Sequence, residues 1–266
     1  MKLHLWPVVV LAGLLALAPP AQAGRSCEAG KPTAQTIEKG LTLAERTMQA
    51  LDAEHARSGA KLVVLARMGQ NLSAYGLRYS HLGYAYKTPE GPWRVAHKLN
   101  TCGTAESALY RQGLGEFFLD DLWQYEAAWV VPTREVQERL YALLQDDGRT
   151  AALHGKAYSI VSYAWAQKYQ QSNQWAIETL ALAMEPAAGT RERAQAWLRA
   201  QGYEPGVLTI GPLTRLGGRI GSANVAFDDH PPGKRFSDRI ETVTVDSVFA
   251  WLARARLGGA PVAIRL

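Results

Sequence analysis

Leu77-Arg-Tyr-Ser-His-Leu-Gly-Tyr-Ala-Tyr-Lys87, then Thr88-Pro-Glu-Gly-Pro92, then Trp93-Arg-Val-Ala-His-Lys-Leu99 decide how this chain folds. Two runs rich in aromatic and aliphatic residues flank a turn built from Pro and Gly, which predicts a β-hairpin. Lys61 to Arg67 is a short apolar run and predicts a buried strand beside it. Upstream, Ile37, Leu41, Leu43, Ala44, Met48 and Leu51 recur at helical spacing, so Thr33–Arg57 reads as an amphipathic helix ended by Ser58-Gly59. Downstream, Asn100 to Gly115 reads as a long connection, with Phe117-Phe118 opening a short helical piece. Ala127–Val131 is a strand closed by Pro132, and Thr133 caps a helix running to about Gln145. A helix led in by Tyr169 to Ser172 carries the stripe Ile177, Leu180, Ala181 and Met184, and Pro186 stops it. Arg191–Gln201 is another helix. From Pro205, glycines break the periodicity. Asn224–Phe227 and Ile240–Val245 read as short strands, and Asp246 as the cap of a last helix, Ser247–Arg256. Helix, strands, helices and strands in this order predict an α+β fold.

The 266 residues are 47% hydrophobic, 20% charged and 9% aromatic. Such values exclude a disordered or fibrous chain. A formal charge of +5 is spread along the sequence, with no Lys/Arg block of the kind that marks a nucleic-acid partner. Lys2, the apolar run Trp6–Ala18, Pro19-Pro20 and the small-x-small sequence Ala21-Gln22-Ala23 read as a signal peptide over residues 1–23, cut after Ala23. The apolar run is shorter than the roughly 20 residues a membrane span needs. The expected location is therefore periplasmic or secreted, with no stable membrane span after cleavage. Two cysteines in an oxidising compartment, Cys27 and Cys102, read most simply as one disulfide. The alternative is that Cys102 is a reactive thiol.

His81 and His97 lie on neighbouring strands and can approach within side-chain reach. A histidine oriented by a second polar group is the base–orienter part of a nucleophilic triad, and Asn100 is an equal candidate for orienter. Spacing alone favours two ordinary strand histidines, hydrogen-bonded in place. The helix start Gln170-Gln-Ser-Asn-Gln-Trp175 offers a hydroxyl, Ser172, where free N–H groups favour a developing anion. Ser172 or Asn173 is also what a helix N-cap requires. Asp228-Asp229-His230-Pro231 reads as a polar turn rather than a metal site, since adjacent loop residues rarely converge on one ion. Neither metal nor cofactor is expected.

The order of these segments resembles circularly permuted papain-like proteins, relatives of bacterial cell-wall endopeptidases. Ser80-His81-Leu-Gly-Tyr-Ala resembles their histidine strand, and Trp93–His97 their next strand. Phe117-Phe118, Ala128–Val131, Thr133–Leu144, Gly155-Lys-Ala-Tyr158 and Ser172-Asn-Gln-Trp-Ala176 follow in the same order, over roughly residues 61–184. The closest resemblance is to an uncharacterised family of secreted proteobacterial proteins, the domain of unknown function 2145. It rests on Arg67-Met-Gly-Gln-Asn-Leu, Arg78-Tyr-Ser-His-Leu-Gly, Leu99-Asn-Thr-Cys-Gly-Thr, Tyr110-Arg-Gln-Gly-Leu, Phe117-Phe-Leu-Asp-Asp and Tyr169–Trp175.

The resemblance implies a permuted papain-like core over residues 61–186. Residues 24–60 form an N-terminal helix before it, and 187–266 an α/β extension packed on it. It also places Ser172, or Asn173 one residue on, where the papain-like group has its nucleophilic cysteine. Two functions follow. In one, Ser172 attacks an amide or ester, His81 is the base, and His97 or Asn100 orients it; a peptidoglycan peptide or an acyl group is the substrate. In the other, the protein is a non-catalytic binding or assembly module. Its cleft is then lined by Tyr84, Trp93, Trp165, Asn173 and Trp175, although core packing also accounts for such aromatics.

Overall fold

A computed structural model describes residues 32–120 and 122–266. The signal-peptide reading and Cys27 fall outside the described residues. The chain begins with α1 (Ala34–Ser58), opened by a reciprocal Thr33–Thr36 capping box and closed by Gly59 at φ 75°, a left-handed conformation that suits glycine. Then come β1 (Leu62–Met68), β2 (His81–Lys87), β3 (Trp93–Asn100) and β4 (Ser107–Gly113). Next are α2 (Leu114–Leu119), β5 (Gln124–Val130), α3 (Arg134–Leu144), α4 (Asp147–Ala151), α5 (Ser172–Met184) and α6 (Arg191–Ala200). The C-terminal part holds β6 (Gly206–Thr209), α7 (Pro212–Gly221), α8 (Pro232–Arg235), β7 (Arg239–Thr242), α9 (Val245–Arg254) and β8 (Val262–Arg265).

Six strands make one antiparallel sheet in the order β4-β3-β2-β1-β5-β8. The α+β expectation holds, with helices on both faces. Side chains alternate along each strand, so each strand feeds two cores. Leu62, Val64, Leu82, Tyr84, Tyr86, Ala96, Ala128 and Val130 point to the face covered by α3, α5, α6 and α9. Val63, Leu65, Ala85, Val95, Ala127 and Trp129 point to the other face, where α1 and α2 supply Leu43, Leu51, Phe117 and Phe118. The β6–β7 hairpin carries a third, smaller core of Val161, Leu208, Ile210, Val225, Phe227 and Ile240.

Several boundaries differ from the sequence reading. The long connection after Asn100 contains β4, whose residues alternate only weakly in burial because it is an edge strand paired on one side to β3. Asn224–Phe227 is not a strand but a turn region packed under the hairpin. The last helix is capped by Thr244, which forms a capping box with Ser247, not by Asp246. The chain after residue 187 is also more than an appendage. β8 completes the main sheet beside β5, and Val248, Trp251 and Leu252 of α9 share one core with Trp175 of α5.

Candidate functional site

The start of α5 is a run of five buried polar residues, and four of their side chains are engaged in close hydrogen bonds. Gln170 accepts from Lys98 Nζ and from the Gly155 amide, at 2.7 and 2.8 Å, and donates to Leu153 O and Glu178. Gln171, the N-cap, accepts from the Asn173 amide at 3.0 Å and donates to Val243 O and Thr242 Oγ1. Asn173 accepts from the Leu82 amide at 3.0 Å and donates to Val243 O at 3.2 Å. Gln174 accepts from Ser162 Oγ and donates to the Ala164 and Tyr163 carbonyls. These bonds rivet α5 to β2, to the Gly155 loop and to the β7–α9 junction. A buried polar group left unpaired is costly, so a junction of loops inside a protein demands amide side chains that both donate and accept.

Ser172 is the member of the run with the weakest engagement. Its hydroxyl lies 3.5 Å from the Tyr158 hydroxyl. Burial pushes the Tyr158 phenol above its ordinary value. The Asn173 amide, which a developing oxyanion would need, is already taken by the Gln171 side chain.

The two histidines do meet, but elsewhere. His81 Nε2 and His97 Nδ1 are 2.9 Å apart, and His97 Nε2 is 2.8 Å from Gln112 Oε1. A carbonyl oxygen only accepts, so His97 donates from Nε2 and receives the His81 Nε2 proton at Nδ1. Phe117 packs on both rings, and the Arg67 guanidinium lies 4.6 Å from the Phe117 ring centre and pairs with Asp120. Burial, and then the charge of Arg67, pull the His97 imidazole down to about 3.

His81 and His97 occupy the strand positions that face α1 and α2, in phase with Ala85 and Val95. Helix α5 covers the opposite face, through Leu82, Tyr84 and Tyr86. The sheet therefore stands between Ser172 and the histidines, and the expected serine–histidine pairing is absent from the geometry. Nor is Asn100 the orienter of His97. Its Nδ2 donates to Thr104 O and Glu106 O and its Oδ1 accepts from Asn224, so it braces the turn before β4. Gln112 takes the orienting place; it lies on β4, inside the segment that composition marks only as a long connection.

The aromatics read as cleft lining are core. Trp175 and Tyr84 are buried together, and Tyr84 donates to Ala176 O. Trp93 is buried on the α1 face and donates to Asp52 at 2.9 Å. Trp165 stacks edge-on with Tyr203 and carries Arg199 over its ring. A surface hollow of about 360 Å³ lies on α1, lined by Gln35, Glu38, Lys39, Thr42, Arg46 and Leu266, so none of these aromatics borders it.

Cys102 is held in a disulfide, and the sequence has one other cysteine, Cys27, outside the described residues. Asp229 accepts from the Tyr163 amide and from His230 Nδ1, at 2.8 and 2.9 Å, which makes the Asp-Asp-His turn a folded brace. Among the described residues no three His, Cys, Asp or Glu side chains are grouped to hold a metal ion.

Gly83, on β2 two residues after His81, is required by close packing against β3. A Cβ there would stand 2.8 Å from His97 Cβ, 2.9 Å from Val95 Cγ1 and 3.0 Å from Ala96 O. Gly83→Ala is expected to cost about 1–3 kcal/mol of stability and to shift the His97 ring signals in a two-dimensional NMR spectrum. An unshifted His97 with unchanged melting would show that this strand pair has slack.

No curated protein and no solved structure matches the chain. A family model described as "Uncharacterized protein conserved in bacteria (DUF2145)" matches residues 54–252. That span runs from the end of α1 to α9 and takes in the histidine pair, the α5 junction and the hairpin. The chain belongs to the DUF2145 family.

Proposed function

We propose that this protein is a non-catalytic binding or assembly component of the bacterial cell envelope, with the ancestral frame of a papain-like fold and no working nucleophile. The observation that carries this reading is the separation of Ser172 from His81 and His97 by the sheet. A serine hydroxyl needs full general-base help, and Ser172 faces a buried phenol instead. The envelope location rests on the signal-peptide pattern of residues 1–23.

Peptidoglycan fragments and acyl esters are the substrates to offer. Wild type and Ser172→Ala are expected to show the same background turnover. Turnover in wild type that Ser172→Ala abolishes would overturn the reading and return the serine hydrolase. The location is checked by mass spectrometry of protein released by osmotic shock, where the expected N-terminus is Gly24. A cytoplasmic protein that keeps Met1–Ala23 would refute it.

A further inference from the structure

Helix α7 is amphipathic in the inverted sense. Leu213, Leu216 and Ile220 recur at i, i+3 and i+7 and so share one face. Gly218, the buried residue of this helix, lies on the opposite face. The aliphatic side therefore points to solvent, with Leu213 85% and Ile220 78% exposed. A Cβ added at Gly211, Gly217 or Gly221 would meet nothing within 4 Å, as expected of a helix standing proud of the body. Phe236, 83% exposed, is a further outward apolar side chain in the neighbouring segment. Its position relative to α7 is fixed by Arg215, which donates to Ile210 O, Arg235 O and Ser237 O.

The charges around this ridge are mainly basic. Helix α7 has no acidic residue, and Arg219 lies at its C-terminal end. Arg235 packs over the Phe236 ring, and Arg239 follows on β7. Arg219, Arg235 and Arg239 make no ion pair among the described residues. Of the nearby carboxylates, Asp228 and Asp229 are committed to Lys168 and to His230, Glu241 pairs with Lys234, and the exposed Asp238 offsets part of the guanidinium charge. Exposed aliphatic and aromatic side chains beside a net excess of guanidiniums are what an interfacial helix presents to a lipid surface. Long basic side chains can then reach the headgroups while the apolar ones enter the acyl boundary.

We propose that the outward face of α7, with Phe236, docks this protein on an anionic lipid surface. A protruding ridge suits a fluid that closes around it, whereas a second protein would have to offer a matching groove. The proposal uses none of the residues of the α5 junction, so its failure and that of the non-catalytic reading are separate results.

The test is flotation of the protein, as recovered from cells expressing the full chain, with two kinds of vesicle. One is phosphatidylethanolamine with phosphatidylglycerol, and the other phosphatidylcholine alone. Binding to the first is expected, weakening with added salt, and little to the second. Leu213→Ser with Ile220→Ser should weaken it about tenfold or more. Arg219→Gln with Arg235→Gln should remove most of the salt dependence. All four side chains are exposed, so circular dichroism should show an unchanged fold. Absence of binding to both vesicles would overturn the proposal. So would binding that the α7 changes leave intact. A concentration-dependent dimer that Leu213→Ser with Ile220→Ser dissolves, without vesicle binding, would assign the ridge to a second copy instead.

Discussion

Glu178→Ala should destabilise the protein by about 3–5 kcal/mol, the range for removing one partner of a buried ion pair. Glu178 is fully buried in the middle of α5. Its carboxylate receives Arg191 Nε at 2.7 Å, Gln195 Nε2 at 2.6 Å and Gln170 Nε2 at 2.5 Å. Arg191 in turn donates to the carbonyls of Ala166, Gln167 and Tyr169, so this one side chain ties α6 to the segment that leads into α5. Without the carboxylate, a guanidinium whose side chain is 11% exposed loses its counter-charge. Lys98 feels the same loss. Its amine sits between Gly155 O and Gln170 Oε1, each at 2.7 Å. Burial first, and then Arg191, pull it down to about 6, while Glu178 opposes that fall. Removing Glu178 therefore withdraws the charge that favours the ammonium, so Lys98 gives up its proton more readily while Arg191 keeps an unpaired charge in a poorly solvated region. Urea unfolding of the wild type and variant gives the difference directly. A loss under about 1 kcal/mol, the scale of an exposed pair, would show that water reaches the network.

The same residues explain what the sequence could and could not reveal. The hairpin of β2 and β3 was legible because its turn carries Pro89, Gly91 and Pro92 and its flanks are apolar. The approach of His81 to His97 was legible too, since neighbouring strands offer few alternatives. What failed was the third partner. Both faces of β2 are buried, so Leu82, Tyr84 and Tyr86 look no more core-like than Gly83 and Ala85. Alternation gives two faces but does not say which one a later helix will cover. A one-residue difference of phase moved the histidines to the far side of the sheet from Ser172. The polar run Gln170–Gln174 misled for a related reason. Composition marks such a run as an exposed helix start or a site. Here it is buried because four other segments end against it with unpaired backbone groups, which is tertiary information. Strand β8 is too short, at four residues, to show a period, and in helix α7 Pro212, Gly217, Gly218 and Gly221 hide a periodic aliphatic face behind residues that read as a loop.

The histidine pair carries the second large effect, through pH. The His97 imidazole titrates near 3 in the folded protein, against an ordinary value of 6.5. A depressed folded value means the unfolded chain binds the proton first. The contribution is complete above pH 6.5 and is lost as pH falls toward 3. Between those limits one extra proton is taken up on unfolding, worth roughly 1–2 kcal/mol per pH unit and about 3–5 kcal/mol in all. The pairing geometry gives the cause. His97 already donates to Gln112 and accepts from His81, so a proton on His97 Nδ1 would face the His81 N–H. It would also sit near the Arg67 charge. His154 is lowered in the same direction, by burial and by Lys98, and adds to the fall that begins below pH 6.5. Lys98 acts in another, since its contribution is complete only above 10.5 and falls away as pH drops through about 6. Urea unfolding from pH 7 down to pH 4 should therefore show stability falling steadily. His97→Gln should flatten the slope by about one proton's worth while leaving the change above pH 7 in place. Because Gln can still donate to the Gln112 carbonyl, the variant keeps one bond of the relay and is expected to fold. A slope identical to wild type would mean that His97 stays solvated and titrates normally. NMR of the ring protons separates the two cases, since a buried His97 keeps its neutral signature at pH 5 and a solvated one does not.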